Sequence, residues 1–577
     1  MKKLKPFALD VGVNEFSGIK RQAQEIWKTW EEEEALAKEI RDLFAPYRGH
    51  FTGEKANKDG KAQGKKNLRA VGTLAARRLA AGIYSGVTSP ARPWLRLQAG
   101  NEEIRDIESV KIYGDEVSKS MIHVFNKSNF YNSLRSCYDE LSSFATTVMM
   151  IEEDSEDVIR CTAFTIGEYA IGVNEKNQVK RLFRNFELTM EQLVSQFGLD
   201  NLPKEIQASS MNDNQKTEKK KVYHLIEPNP KHNPLTPGAS KMPTAYRSIY
   251  WLEGHNEVLQ VRGYRTQPFV ACRWDVISNN PWGRGPGHEV MGDIKGINAI
   301  EEKGLKALAK MVDPPVIAPD NSKQINMIPG GVTKYSGSNG GGDQVIRPLY
   351  DVRFDIASAD AKVEQYKQEV KEAFYTDLFQ MISSSTGPQM TAREVIERHE
   401  EKMTMLGPVL DRLHKEFLEP TVERVYDIMS AAEILPEPPE ELAGEELKVE
   451  FVSILAQAQK MVGMTGIRDF MTFVGEVGQM NPEVMEKVDY DEVVEVAAEN
   501  LGVPPGIIFG EDEMRARQEE RQAAQAEQEK MAQAAQEMEL LKSASESAKN
   551  VAQIPTDGEN ALSGLMKGAG TAGMGAM

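Results

Sequence analysis

Apolar residues recur at three- and four-residue spacing over 14–45, where Phe16, Ile19, Ala23, Ile26, Trp27 and Trp30 mark one face of a predicted helix. The acidic run Glu31–Glu34 within it reads as a solvated face. A second helix is predicted over 67–86, after the Gly/Lys-rich loop 52–66. Two more follow over 103–146, broken near Lys127-Ser128-Asn129. The pattern then shortens to strands at 146–154 and 159–186, with a hairpin turn at Asn174–Asn177. Thr189 and Gln192 have capping-box spacing and predict a short helix to Phe197, with Gly198 as its stop.

Residues 200–220 read as a polar loop and 221–276 as strands. A helix is predicted from Pro286 to Met311, with Pro286 suited to the first turn and Asp313-Pro314-Pro315 ending it. Short strands are expected at 315–318, 325–328 and 344–349, then a long helix over 355–382. The loop Ser383–Gln389 leads into a second capping box, Thr391 to Glu394, opening a helix to about Ala432. Beyond the Pro/Glu-rich linker, 449–510 reads as a smaller helical lobe. Residues 511–551 carry an Ala/Gln/Glu-rich helix, and 552–577 have the composition of a disordered tail. The expected class is α+β, predominantly helical.

With 577 residues, 40% hydrophobic and 27% charged, the chain has the composition of a multi-lobed globular protein. No run of about 20 apolar residues is present, so no membrane partner is expected. The N-terminus lacks the apolar core of a signal peptide. Cys137, Cys161 and Cys272 are far apart, which suits reduced structural thiols. A net charge of −18 argues against a protein that wraps DNA tightly, though not against a channel through which DNA slides.

Catalytic motifs fail one by one. His399-Glu400 opens a zinc-protease pattern that Met403 breaks, GRGPGHE fits neither dinucleotide nor phosphate-loop spacing, and no G-x-S-x-G elbow occurs. No cofactor or metal is expected. The helix from Pro286 does carry chemistry: Lys295, Lys303, Lys306 and Lys310 fall within an arc of roughly 80° at 100° per residue. In a single subunit this is a solvated face; repeated about an axis it becomes stacked cationic rings able to touch phosphate. Ser383, Ser384, Ser385 and Gln389 lie in the low-charge connecting loop, where residue types alone favour a plain helix junction. In 511–551, Ala524, Met531, Met538 and Ser545 form one seven-residue track, and Ala534, Leu541 and Ala548 the other. That suits helix association, with Met531, Ala534, Met538 and Leu541 as contact positions, or a lone helix.

Five segments in order resemble the head-to-tail connecting (portal) proteins of short-tailed phages: SGVTSPARPWLRL (85–97), FATTVMMIEED (144–154), FTIGEYAIGVNEKNQVKRLFRNFELTMEQLVSQFG (164–198), RWDVISNNPWGRGPGHEVMGDIKGINAIEEKGLKALAKMVDPPV (273–316) and TAREVIER (391–398). The resemblance covers about 15–435. It implies a subunit of wing (1–185), first stem region (186–214), β-rich clip (215–283) and second stem region (284–312). Wing strands, long helices and a tunnel loop (313–435), a crown (436–510), a C-terminal barrel helix (511–551) and a tail (552–577) would follow, with Ser383–Gln389 as the tunnel loop that touches DNA.

It further implies a virion protein assembled as a ring of about twelve, with double-stranded DNA passing through. Its implied partners are the terminase large subunit, major capsid and scaffolding proteins, and tail adaptor or nozzle proteins. The alternative is a non-ring helical scaffold or adaptor of the virion. A nucleic-acid enzyme at the same vertex is a third reading.

Overall fold

The computed structural model describes residues 13–51, 68–105, 107–210, 216–230, 244–312, 355–377, 405–442 and 447–452, with short pieces and single positions elsewhere. It divides into two units, 1–488 and 489–577. In the second, the described Met531 and Met538 are helical and exposed.

The first unit opens with α1 (Val13–Phe44), α2 (Val71–Val87), β1 (Leu95–Ala99), α3 (Glu102–Arg105), α4 (Glu108–Lys127) and α5 (Phe130–Phe144). Strands β2 (Thr146–Asp154), β3 (Val158–Phe164), β4 (Tyr169–Val173) and β5 (Val179–Thr189) follow. After α6 (Met190–Phe197) and α7 (Lys204–Ser210) come β6 (Lys219–Pro228), β7 (Tyr246–Leu252), β8 (Val258–Tyr264) and β9 (Phe269–Arg273). Then come α8 (Pro286–Glu289), α9 (Met291–Val312), β10 (Val316–Ile317), β11 (Arg347–Pro348) and α10 (Ile356–Ala373). Residues 405–413 are helical, His414–Leu418 form a wider π-helical turn, and α11 (Glu419–Ala431) continues the rod before β12 (Leu447–Phe451).

Among the described residues four antiparallel sheets result, ordered β4-β5-β6-β7-β8, β3-β2-β9, β1-β12 and β10-β11. The α1 stripe expected from the sequence is buried on the five-stranded sheet, where Trp27 meets Phe183 at 5.7 Å and Phe16 meets Trp251 at 5.8 Å between ring centroids. Amphipathic α5 covers the three-stranded sheet with buried Leu134, Cys137 and Leu141. The hairpin turn forms because Asn174 Oδ1 accepts from the N–H groups of Lys176 and Gln178, while Asn177 takes φ +58°.

Several expectations are corrected by tertiary packing. The polar loop at 200–220 contains α7, anchored by buried Ile206 in a small cluster with Met190, Leu193, Phe197 and Leu202. One large apolar side chain, Ile206, in seven residues is too little periodic signal to announce a helix. Glu33, in the supposedly solvated acidic run, accepts from Arg284 Nη2 at 2.9 Å and is 13% exposed. The predicted helix from Pro286 is two helices meeting at Val290. The helix expected over 355–382 is interrupted after Ala373, where Phe374 is buried against Phe44 and Tyr375 takes φ +51°. The lobe expected to be helical from 449 begins with β12, because Leu447, Val449 and Phe451 alternate toward the core while Phe451 stacks on Trp94 and His414.

The stretch 215–283, expected as a clip, is not a separate body. Its β6 pairs with β5 and its β9 with β2, and β5 runs across the expected 185/186 boundary. The reason is strand valence: β6 and β9 complete ladders that the earlier strands leave open. The strand expected at 325–328 lies outside the described residues.

Gly167 shows how closely the chain approaches itself. It takes φ +92°, and a Cβ there would stand 1.6 Å from the His50 carbonyl oxygen. Gly167→Ala is expected to cost about 1–3 kcal/mol through left-handed strain and displacement of that backbone, read as a lower melting temperature. An unchanged melting temperature would contradict this account.

Candidate functional site: the α9–α10 helix pair

The basic face predicted from the sequence lies on α9, a helix of 22 residues, about 33 Å long. Its approach is set by α8. Gly285 is extended at φ −161°, Pro286 occupies the first turn, and His288 Nδ1 accepts from the Gly285 N–H at 3.2 Å. Burial and nearby Arg284 push the His288 imidazole down to about 4, so it stays a neutral acceptor at pH 7.

α9 packs against α10 in antiparallel register. Gly296 leaves room for the Tyr366 ring, which an added Cβ would meet at 3.2 Å. Asp293 lies near Glu369 and Lys362, and its carboxyl is raised by desolvation and by Glu369. The capping aspartate of α10 is Asp355, whose side chain accepts from the N–H groups of Ala357 and Ser358. Val363 and Val370 bury its inner face.

Three faces of α9 follow at 100° per residue. One meets α10 through Gly296. A second carries Ile294 and Ile297, both buried, and continues through Glu301 to Leu305, Leu308 and Val312, which are exposed. Residues at 68–69 touch its middle, where the Leu68 N–H donates to Asn298 Oδ1 at 3.2 Å and Arg69 pairs with Glu301 at 2.8 Å.

The third face is the basic one, and the structure divides it. Lys295 is tied to Glu39 of α1 at 2.9 Å. Lys306 donates to Glu302 at 2.5 Å, and this bond, with the nearby charge of Lys303, holds the Glu302 carboxyl below its usual range. Lys303, Lys306 and Lys310 are all exposed on the distal half of the helix. Glu302 therefore neutralises part of the face, and three lysines rather than four are grouped on its outer half.

The Thr189/Gln192 box closes as drawn, with Gln192 N–H donating to Thr189 Oγ1 at 3.3 Å and Thr189 N–H to Gln192 Oε1 at 3.0 Å. The helix it starts has only eight residues and packs on β6 and β7 through Val222, Tyr250 and Leu252, so the partner of α9 is α10, not α6. Ser383, Ser384, Ser385, Gln389, Thr391, Glu394, Ala534 and Leu541 lie outside the described residues.

Among the described residues no three His, Cys, Asp or Glu side chains are grouped to hold a metal ion, and no helix is long and apolar enough to cross a membrane. The three cysteines are buried, and burial pushes the Cys137 and Cys161 thiols up to about 12. Sequence reasoning missed the exposed apolar end of α9 and the whole of α10 as its partner. The first was legible as Ile294, Ile297, Leu305, Leu308 and Val312 at helical spacing; the second needed the tertiary register.

Comparison with known proteins matches residues 17–508 to the family "Bacteriophage head to tail connecting protein". The chain is 35% identical over 541 residues to the "Probable portal protein" of Bordetella phage BPP-1, covering 92% of this chain and 94% of that one. It is 33% identical over 544 residues to the "Portal protein" of Salmonella phage epsilon15, again covering 92% and 94%. Among solved structures, a chain from "Neck of empty GTA particle computed with C6 symmetry" matches at 10% identity with a TM-score of 0.29, covering 66% of this chain and 80% of that one.

Proposed function

Because this chain belongs to the bacteriophage head-to-tail connecting protein family, we propose that it is a portal subunit, assembling as a ring of about twelve at one capsid vertex. It is a structural component of the phage head–tail junction rather than an enzyme. Double-stranded DNA would enter through the ring during packaging and leave through it at ejection. The terminase large subunit would dock on it during packaging, capsid and scaffolding proteins would surround it, and tail adaptors or nozzle proteins would later replace the motor. The observation that carries this reading is the near end-to-end correspondence with two portal proteins.

The α9–α10 pair supports a revised internal assignment. Two antiparallel helices that leave the body together suit a stem better than α6 paired with α9. The clip, expected between the stem helices, then falls at 313–354 instead of 215–283. Lys303, Lys306 and Lys310 would line the channel as spaced cations on an otherwise acidic protein, touching phosphate without gripping it. Ser383–Gln389 remains the proposed tunnel loop, 436–510 the crown and 511–551 the barrel helix.

Mass photometry and negative-stain microscopy test both levels. Wild-type protein is expected to form rings of about twelve. The triple variant Lys303→Ala/Lys306→Ala/Lys310→Ala is expected to form the same rings but to change DNA packaging or retention several-fold, measured as DNA per particle. A chain that stays monomeric at micromolar concentration would refute the ring. Unchanged packaging and retention in the triple variant would refute the lysine assignment alone.

A further inference from the structure

The apolar stripe of α9 is continuous but only half covered. Ile294 and Ile297 are buried against the body, whereas Leu305, Leu308 and Val312, on the same side, are 54%, 45% and 77% exposed. Ile356, at the facing end of α10, is 48% exposed. On a solvated helix end such positions favour polar residues, so a run of four large apolar side chains at one end of a helix pair marks a contact surface.

The register of the pair defines what lies at the same height. Gly296 opposite Tyr366 and Asp293 beside Glu369 place Leu305 level with Ala357, on opposite outer sides of the pair. The outer side of α10 there presents exposed Ala357 and Ala361 flanked by exposed Asp360 and Glu364. Charge matches as well. After Glu302, α9 carries Lys303, Lys306 and Lys310 with no acidic residue, while residues 355–364 of α10 carry Asp355, Asp360 and Glu364 against one lysine, Lys362.

We propose that the exposed end of the α9 stripe, Leu305, Leu308 and Val312, docks on the Ala357/Ala361 side of α10 in the next copy of this chain. The inference rests on the ring proposed above and names the contact that closes it. Two unlike surfaces on opposite sides of one element make a head-to-tail contact. Rotation about an axis along the pair keeps both surfaces at one height, so the contact repeats around a closed ring. Small alanine side chains let the neighbouring helix approach, and the lysine face of one copy attracts Asp360 and Glu364 of the next through solvent. Such exposed attraction adds little, so removing the lysines is expected to leave the ring intact.

The test introduces Leu305→Cys with Ala357→Cys, and separately Leu305→Cys with Ala361→Cys, in the full chain, whose own cysteines are buried. Oxidised rings of at least one pair should run on a non-reducing denaturing gel as a ladder extending beyond a dimer, whereas each single variant stops at a dimer. Rings that form but give no ladder with either pair overturn this contact and leave the ring standing. Wild-type chains that form no ring overturn both. A second variant, Leu308→Asp, should reduce the ring fraction at least tenfold without lowering the melting temperature of the subunit. A lowered melting temperature with rings retained would mean that the stripe is covered within the same chain, and would overturn the proposal.

Discussion

Arg273→Met is expected to destabilise the subunit by about 3 kcal/mol, the lower end of what breaking a buried ion pair costs. Arg273 is 2% exposed and joins three elements. Its Nη2 donates to Glu416 Oε1 at 2.8 Å and to the Asn177 carbonyl at 2.7 Å, and its Nη1 donates to Asn177 Oδ1 at 3.2 Å. One guanidinium thus ties the end of β9 to the β4–β5 hairpin and to the π-helical turn at His414–Leu418. Methionine fills the volume but leaves the Glu416 carboxylate only the residue-273 backbone N–H, at 3.3 Å, and takes the guanidinium donor from the Asn177 carbonyl. Glu416 is a quarter exposed, so water recovers part of the loss. The urea midpoint reports the effect, and the double variant Arg273→Met/Glu416→Leu should regain part of it. A single-variant loss below about 1 kcal/mol would show that the junction holds without the pair.

Lowering the pH from 7 to 5 is expected to destabilise the subunit by a similar or larger amount. Burial holds His288 and His414 down at about 4, and His224 well below its usual value. His224 lies between the charges of Arg184 and Arg262, stacks on Tyr250 at 3.8 Å and shares a hydrogen bond with Ser248 at 2.7 Å. Between pH 6.5 and 4 the unfolded chain binds protons at these histidines that the folded chain does not, so stability falls as pH falls.

At pH 5 His288 and His414 each account for about 2 kcal/mol, and His224 adds in the same direction. Glu140 and Asp293 oppose this, since desolvation raises both carboxyls and acidification relieves their cost. Urea midpoints at the two pH values measure the net effect, and His414→Phe, which preserves the stack on Phe451, should shrink the difference. Equal midpoints at pH 7 and 5 would contradict neutral buried histidines.

The elements most visible in the sequence are those whose signal is local. The α1 stripe, the Asn174 turn, the Thr189/Gln192 box and the Pro286 start each depend on side chains within a few residues of one another, and each forms. The failures share a cause. Glu33 meets Arg284 across 251 residues, Arg273 meets Glu416 across 143, and Phe374 ends α10 by burying itself against Phe44. Nothing near any of these residues in the chain signals its partner.

The same division runs through the candidate site. The lysine face of α9 is a periodic property of one helix and was legible as such. Glu302 among the lysines follows from the same spacing, four residues before Lys306, whereas the tie of Lys295 to Glu39 and the choice of α10 as companion helix were decided by packing. By itself, then, the sequence determined the α+β class, the local caps and turns, and the cationic helix, because those follow from spacing along one element. Only the tertiary structure decided which strands share a sheet, which helices pair and where an apolar stripe runs past the body, because those depend on which distant surfaces compete to cover it.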